Sequence, residues 1–306
     1  MSRLFGSIGE EIEWFLNRET YVTGKNATIN VDANKVKWSL NNSLNKEGKI
    51  DSSLKVSYAS EQETIYVEAK TNGNPAFGIK TNRFANKNVN AVASLQDPEL
   101  GLDLVYKNQK DIGINANSKW SWSTLIHSFN LGFCYTGFDK IAMGLDATIT
   151  KHSGKDPNVN NYNIGIEYVR KLNQVFALKS GASFQHIIFG TKLAIQPTLL
   201  NYNQIELNPF DKNVEYQIGF QKKINRDNTV NGVIRGNNKN AKPDNISLLY
   251  CNQIRSSKIY FQFGVNIDLN DKNMMDLNNV SWKIVFGENY SRKNFGDISS
   301  KGWQSI

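Results

Sequence analysis

The sequence predicts an all-β protein, a transmembrane antiparallel β-barrel of about 19 strands preceded by one N-terminal amphipathic α-helix. Apolar and polar residues alternate strictly in short segments from about residue 25 to about residue 288. Asn, Asp, Gly, Pro and Lys separate these segments, as expected for turns. A four-residue apolar repeat precedes them. No run reaches the roughly 18–20 apolar residues that a spanning helix needs.

The composition by itself resembles that of a soluble, basic protein. The chain has 306 residues, a formal charge of +8 and 21% charged residues, and its mean hydropathy is −0.47. A membrane barrel has the same average, because every second residue of each strand is polar. Composition therefore excludes a helical membrane protein but leaves a barrel open.

The N-terminal segment has the repeat of an amphipathic helix. Its apolar positions recur every three to four residues, which places them on one helical face. Ser7 and Glu10 have the spacing of a capping box. We expect this face to pack on a core, to lie against a membrane, or to lie inside a pore. The residues of the face are Leu4, Ile8, Ile12, Phe15 and Leu16.

The strands that follow are each about 8–12 residues long. The segment from Lys258 to Leu269 is the clearest, since six apolar residues alternate with six others. Links of hairpin length predict antiparallel neighbours. We divide the chain into a helix and linker (1–24), a barrel (25–288) and a C-terminal tail (289–306). The predicted starts are Ala27, Val36, Ile50, Thr64, Phe77, Val89, Leu100, Ile112, Thr124, Ile141, Tyr162, Val175, Ile187, Leu199, Val214, Thr229, Ile246, Ile259 and Val280.

A water-soluble barrel or sandwich is the alternative to a membrane barrel. Three features favour the membrane barrel: the strand count is high for a soluble sheet, the polar face is rich in Gly, Asn and Lys, and aromatic residues lie near segment ends on the apolar face. Interfacial girdles of membrane barrels have this aromatic pattern. The aromatic residues are Tyr58, Tyr106, Tyr135, Tyr168, Phe184 and Trp282.

The polar faces would then line a lumen. On this alternation, twelve basic and seven acidic residues face inward, a balance of about +5. Such a lining predicts a weak preference for anions. The basic positions are Lys37, Lys55, Lys70, Lys80, Lys107, Lys171, Lys179, Lys192, Lys223, Arg235, Lys258 and Lys283. The acidic positions are Asp51, Glu68, Asp103, Asp146, Glu167, Glu215 and Asp268.

An N-terminal amphipathic helix followed by about 19 strands resembles the mitochondrial porin family, which comprises the voltage-dependent anion channel and the Tom40 pore. The last four strands are similar in spacing to those of the anion channel. Gln262, Gly264, Ile267 and Leu269 fit the family's barrel-insertion signal, although they lie on the penultimate predicted strand. Either the barrel ends at Leu269, or the signal of the last strand is degenerate.

The resemblance implies a voltage-dependent anion-selective channel of the mitochondrial outer membrane, which passes metabolite anions (nucleotides, phosphate) and small ions. The helix would lie in or against the lumen and narrow it. Implied partners are membrane lipid, metabolite anions, the barrel-assembly machinery, and further copies or a larger membrane complex. A Tom40-like protein-conducting channel and a non-conducting barrel subunit remain alternatives.

Motifs for other chemistry are missing from the sequence. The three histidines are scattered, the two cysteines allow at most one disulfide, and no phosphate-binding loop is present. We therefore expect no enzyme activity, no cofactor, no metal and no nucleic-acid partner. Glu10, Glu11 and Glu13 interrupt the N-terminal twenty residues, so we expect neither a secretory signal nor a cleaved presequence. This expectation disfavours a bacterial outer-membrane porin.

Overall fold

The computed structural model describes residues 4–19, 25–44, 49–81, 89–107, 111–171, 173–240, 242–254, 256–270 and 280–286. The described residues form three short helical turns and nineteen strands. The linker at 20–24 and the predicted tail at 289–306 lie outside them. The strands are β1 (Lys25–Ala33), β2 (Val36–Leu44), β3 (Ile50–Ala59), β4 (Glu63–Lys70), β5 (Ala76–Thr81), β6 (Val89–Gln96), β7 (Glu99–Lys107), β8 (Ile112–Ser121), β9 (Ile126–Phe138), β10 (Ile141–His152), β11 (Asn158–Lys171), β12 (Gln174–Gly181), β13 (His186–Gln196), β14 (Leu199–Asn208), β15 (Asn213–Lys223), β16 (Asn228–Asn237), β17 (Asn245–Ile254), β18 (Ile259–Asp268) and β19 (Val280–Phe286).

The nineteen strands form one closed barrel, which confirms the predicted fold class. Each strand pairs antiparallel with the next along the chain, and β1 pairs parallel with β19 through Lys25↔Trp282 to Ile29↔Phe286. An odd number of sequentially paired strands requires one parallel seam. At a spacing of about 4.8 Å and a tilt of about 40°, such a cylinder is roughly 35–40 Å across between backbones.

The strand starts agree closely with the sequence pattern. The weakest predicted strand, at Leu199, is β14. The largest difference is at β11, which begins at Asn158 rather than near Tyr162. A β-bulge between Thr148 and Ile149 of β10 changes the register there, and it lets the polar start of β11 pair although it has no clear alternation.

Alternation places the apolar side chains on the outside of the barrel. Trp38, Ile164 and Phe189 are all exposed, and each is paired across the sheet with another apolar residue. Directly paired residues share one face of a sheet. The outer face is therefore predominantly apolar, and the inner face carries most of the charged residues of the strands.

The N-terminal segment (residues 4–19) differs from the single helix that was predicted. It consists of a 3-10 turn at Phe5–Ser7, an α-helix at Glu10–Trp14, here called α1, and a π-helical turn at Phe15–Glu19. The proposed capping box is absent, since the N-cap is Gly9 at φ +68° and Ser7 Oγ donates to Leu4 O. No helix in the described part of the chain is long and apolar enough to cross a membrane.

The barrel continues beyond Leu269. β18 ends at Asp268, Leu269 N–H donates to Asp244 O at 2.9 Å in the following turn, and β19 completes the wall. Of the insertion-signal residues, Gln262 and Gly264 face inward and Ile267 faces outward. Lys258 was predicted on the polar face of this strand, but β18 begins at Ile259 and Lys258 lies in the β17–β18 turn at φ +52°.

Candidate pore lining

The N-terminal segment lies inside the barrel. Ile8 packs with Cys134 of β9 and Ala142 of β10, whereas Leu16 reaches Gly219 of β15. β10 and β15 are five inter-strand spacings apart, about 24 Å along the wall. Eight helical residues rise only about 12 Å, so the segment follows a chord on the concave side.

Apolar contacts hold the segment against one wall. Ile12, Phe15 and Leu16 are almost completely buried and form one cluster with inner-face residues. The Phe15 ring stacks on Tyr202 with 3.9 Å between centroids and 14° between planes. The wall residues of this cluster are Val175, Ala177, Leu200, Tyr202 and Val233. Burial of these side chains, rather than helix propensity, therefore stabilises so short a helix.

Two inner-face glycines permit this close approach. A Cβ built on Gly219 would lie 2.7 Å from Leu16 Cδ2 and 3.0 Å from Phe15 Cε1. A Cβ built on Gly190 would lie 3.2 Å from Ile12 Cδ1. Ordinary carbon contacts are about 3.5–4.0 Å, so a side chain at Gly219 would displace the segment.

Polar contacts fix the orientation of the segment. Glu11 pairs with Lys192, whose side chain is only 2% exposed, and Glu13 Oε1 lies 3.5 Å from Lys179 Nζ. Gly9 N–H donates to Glu167 Oε2 at 2.8 Å.

Arg235 Nη2 donates to the Leu16 carbonyl at 2.5 Å. Lys179, Lys192 and Arg235 thus bind the segment, a use that the alternation pattern alone does not reveal.

The other predicted basic residues have different surroundings. Lys37 Nζ lies 3.0 Å from Asp32 Oδ2, and Lys55 Nζ lies 4.3 Å from the ring centroid of Tyr66. Five more face inward, namely Lys70, Lys80, Lys107, Lys223 and Lys283. Lys258, in its turn, is not on the lining.

The strand register changes the predicted charge balance. A β-bulge sets Lys171 opposite the outward Gln174, and Lys258 is in a turn, so both leave the lining. The observed register adds one inward base, Lys119, and three inward acids. The described strands then carry eleven inward bases and ten inward acids, about +1 rather than +5. The added acids are Asp32, Glu99 and Glu206.

The N-terminal segment also brings carboxylates into the lumen. Glu10, Glu11 and Glu13 lie on α1, and in the described part of the chain Glu11 meets Lys192 and Glu13 meets Lys179. With these three, the balance of the described lining changes from about +1 to about −2. Sequence reasoning treated the segment and the wall separately, and for that reason missed this contribution.

In the part of the chain that the structure describes, no group of three or more His, Cys, Asp or Glu side chains is arranged to hold a metal ion. Cys134 and Cys251 are both buried free thiols, on β9 and β17. His186 Nδ1 lies 2.7 Å from Glu206 Oε1 on the inner face.

Comparisons with known proteins give similarity at low identity. No protein-family model matches the chain, and no curated protein matches it. Among solved structures, a five-substitution mutant of Rhodobacter blastica porin has a TM-score of 0.47 at 11% identity, over 66% of this chain and 90% of that one. Two three-substitution mutants of the same porin have TM-scores of 0.45 at 10% and 11% identity, each over 61% of this chain and 86% of the other.

Proposed function

We propose that this protein is a passive diffusion pore for small hydrophilic solutes, of the mitochondrial outer-membrane porin type. The observation that carries the proposal is the closed barrel of nineteen strands, apolar outside and polar inside, with its N-terminal segment on one wall. Lipid would contact the outer face, and water would fill the rest of the lumen.

The dimensions support diffusion of metabolites. A barrel roughly 35–40 Å across between backbones loses about 10 Å to side chains and about 10–12 Å to an inner helix. A passage on the order of 15 Å remains, which is wide enough for hydrated ions, phosphate and nucleotides. It is too narrow for a folded protein.

The strand count supports the mitochondrial type. Single-chain bacterial barrels have even strand numbers, whereas the mitochondrial anion channel has 19. Nineteen strands closed by the parallel β1–β19 seam agree with the latter. The N-terminal segment within the lumen agrees with the resemblance as well.

The near-neutral lining supports weak rather than strong ion selectivity. Lysines that make no ion pair among the described residues, such as Lys80 and Lys107, favour the passage of anions. The inward carboxylates oppose them. We therefore assign nucleotides and phosphate as permeant anions, with small cations passing at a comparable rate.

Reconstitution in planar bilayers tests this function. We expect stable single-channel steps and, under a tenfold salt gradient, a reversal potential that is a small fraction of the value for an ideally selective pore. Absence of conductance, or near-ideal cation selectivity, would contradict the proposal.

A protein-conducting channel is the second candidate, because the lining has more carboxylates than the sequence pattern indicates. Asp32, Glu99 and Glu206 add to those of α1, and carboxylates attract basic peptides. A basic amphipathic peptide would then cross the pore, and small translocase subunits would co-purify. A non-conducting subunit would instead give no channels and a stoichiometric large complex.

A further inference from the structure

We propose that the pore is electrically polarised along its axis, with one mouth that attracts anions and one that attracts cations, so that it conducts unequally in the two directions. This inference rests on the proposed function. The inference concerns how the charges are distributed along the pore axis, which the nearly neutral sum over the whole lining does not show.

The two mouths are defined by the hairpins. The β1–β2, β7–β8 and β15–β16 turns lie at one end, called the lysine end. The β2–β3, β6–β7 and β14–β15 turns lie at the other, called the carboxylate end. Strands of about ten residues at a tilt of about 40° separate the ends by roughly 25 Å.

Positive charge predominates at the lysine end. Within the last three residues of each strand there, four lysines and one aspartate face inward, a balance of +3 among the described residues. Lys37 Nζ lies 3.0 Å from Asp32 Oδ2, the one aspartate of this set. Lys80 and Lys107 make no hydrogen bond or ion pair with the described residues, so their ammonium groups face the lumen water. The four are Lys37, Lys80, Lys107 and Lys223.

Negative charge predominates at the carboxylate end. By the same criterion, six carboxylates and four cations face inward, a balance of −2 among the described residues. The acids are Asp51, Glu68, Glu99, Glu206, Glu215 and Asp268, and the bases are Lys70, Lys119, Lys179 and Arg235.

Two of these bases are engaged by the N-terminal segment. Lys179 lies next to Glu13, and Arg235 binds the Leu16 carbonyl. The lumen at this end therefore presents more carboxylate than ammonium.

Two of the carboxylates at this end, Glu206 and Glu215, are paired with each other across the sheet. These residues are directly opposed on β14 and β15, an arrangement that destabilises a sheet. His186, 2.7 Å from Glu206, compensates only when it is protonated. The two opposed carboxylates therefore concentrate negative charge at this mouth.

The turns do not cancel the axial difference. Described turn residues carry four charges of each sign at the lysine end. At the carboxylate end they carry five positive and four negative charges. With turns included, the balance is +3 at one mouth and −1 at the other.

Screening determines how this difference acts. The Debye length is about 10 Å at 0.1 M salt, so mouths roughly 25 Å apart act separately. Anions are concentrated at the lysine end and cations at the carboxylate end. One sign of voltage drives anions into the pore from the lysine end and cations into it from the carboxylate end, so the ion concentration in the pore rises. The opposite sign drives both ions out through these ends, so the concentration in the pore falls. Current therefore depends on the sign of the voltage.

Single-channel recording in symmetric KCl tests the inference. At 0.1 M we expect a ratio of currents at opposite voltages above about 1.3, which falls towards 1 at 1 M, where the Debye length is about 3 Å. Each insertion has its own orientation, so the ratio is measured channel by channel.

Charge variants assign the effect to the two mouths. Lys80→Gln with Lys107→Gln should bring the ratio at least halfway to 1 and shift selectivity towards cations. Glu99→Gln with Asp268→Asn should reduce it similarly and shift selectivity towards anions. Lys222→Gln is the matched control, because Lys222 lies at the lysine end but faces outward, and it should change neither quantity.

The outcomes separate the two proposals. Channels whose current is symmetric at every salt concentration, or whose asymmetry survives both pairs of substitutions, overturn the axial polarity alone. Absence of channels overturns the proposed function and the polarity together.

Discussion

Substitution of Ile8 by alanine should release the start of the N-terminal segment from the wall. Ile8 is fully buried against Cys134 and Ala142, and Cys134 is itself fully buried. Truncation of a buried Ile to Ala costs about 2–5 kcal/mol. We take the lower limit, since lumen water can hydrate the space that is left.

That cost has a direct readout in the reactivity of Cys134. Where the segment opens and closes quickly, labelling by a water-soluble maleimide follows the population of the open form. A cost of about 2 kcal/mol raises that population about 30-fold. The assay is the labelling rate of Cys134 in refolded protein that carries Cys251→Ser, with and without Ile8→Ala.

Cys251 provides the internal control. Its cluster consists of Leu249, Tyr260 and Val285 of the barrel wall, and no described residue of the N-terminal segment belongs to it. In a Cys134→Ser background, Ile8→Ala should leave the labelling of Cys251 unchanged. An unchanged Cys134 rate, or equal acceleration at both thiols, would refute the placement of the segment on β9 and β10.

Three further changes test the same docked segment. Glu11→Gln removes the carboxylate that contacts the Lys192 ammonium, which is 2% exposed. Removal of one partner of a buried pair costs about 3–5 kcal/mol, so Cys134 labelling should accelerate, whereas Glu10→Gln on the exposed side of α1 should not change it. Phe15→Ala removes the stack on Tyr202 at a cost of about 3–5 kcal/mol. Because the segment is then held less firmly in the lumen, single-channel noise should rise, and Phe15→Leu should raise it less. Gly219→Ala places a methyl group 2.7 Å from Leu16 Cδ2, so it should weaken docking of the N-terminal segment by about 1–3 kcal/mol and accelerate Cys134 labelling. Gly101→Ala lies on the same inner face but crowds Ser94 Oγ, so it should leave the labelling unchanged.

The barrel was predictable because alternation in a strand reports which face meets an apolar medium. One residue out of phase would reverse the faces, so runs such as that from Ile259 to Asp268 leave little freedom of register. Hairpin-length links then determine antiparallel order. The parallel seam does not follow from any local pattern, since β1 and β19 meet only after all nineteen strands have paired.

The lining was less predictable, because local irregularities change the parity of individual residues. The bulge before Lys171 and the turn at Lys258 each remove a lysine that simple alternation places inside. The axial separation of charges depends on the end at which each strand turns. Which end a turn occupies is defined only once all the hairpins are aligned around one barrel.

The N-terminal segment shows a different limit. Its apolar repeat predicts one apolar face, on which Ile8, Ile12 and Leu16 are buried, but helix propensity does not predict an α-helix of only five residues. Gly9, at φ +68°, starts α1 where its N–H can reach Glu167. A partner 158 residues away in the sequence thus determines where the helix begins.

Crosslinking of the seam tests the closed nineteen-stranded barrel most directly. Thr28 and Val285 are paired across β1 and β19, at a spacing of about 4.8 Å that a disulfide can span. In protein that carries Cys134→Ser and Cys251→Ser, Thr28→Cys with Val285→Cys should form an intramolecular crosslink on oxidation. Thr28→Cys with Ser281→Cys, four residues out of register, should not. Failure of the first pair, or equal yields from both, would contradict the parallel seam and the closed barrel.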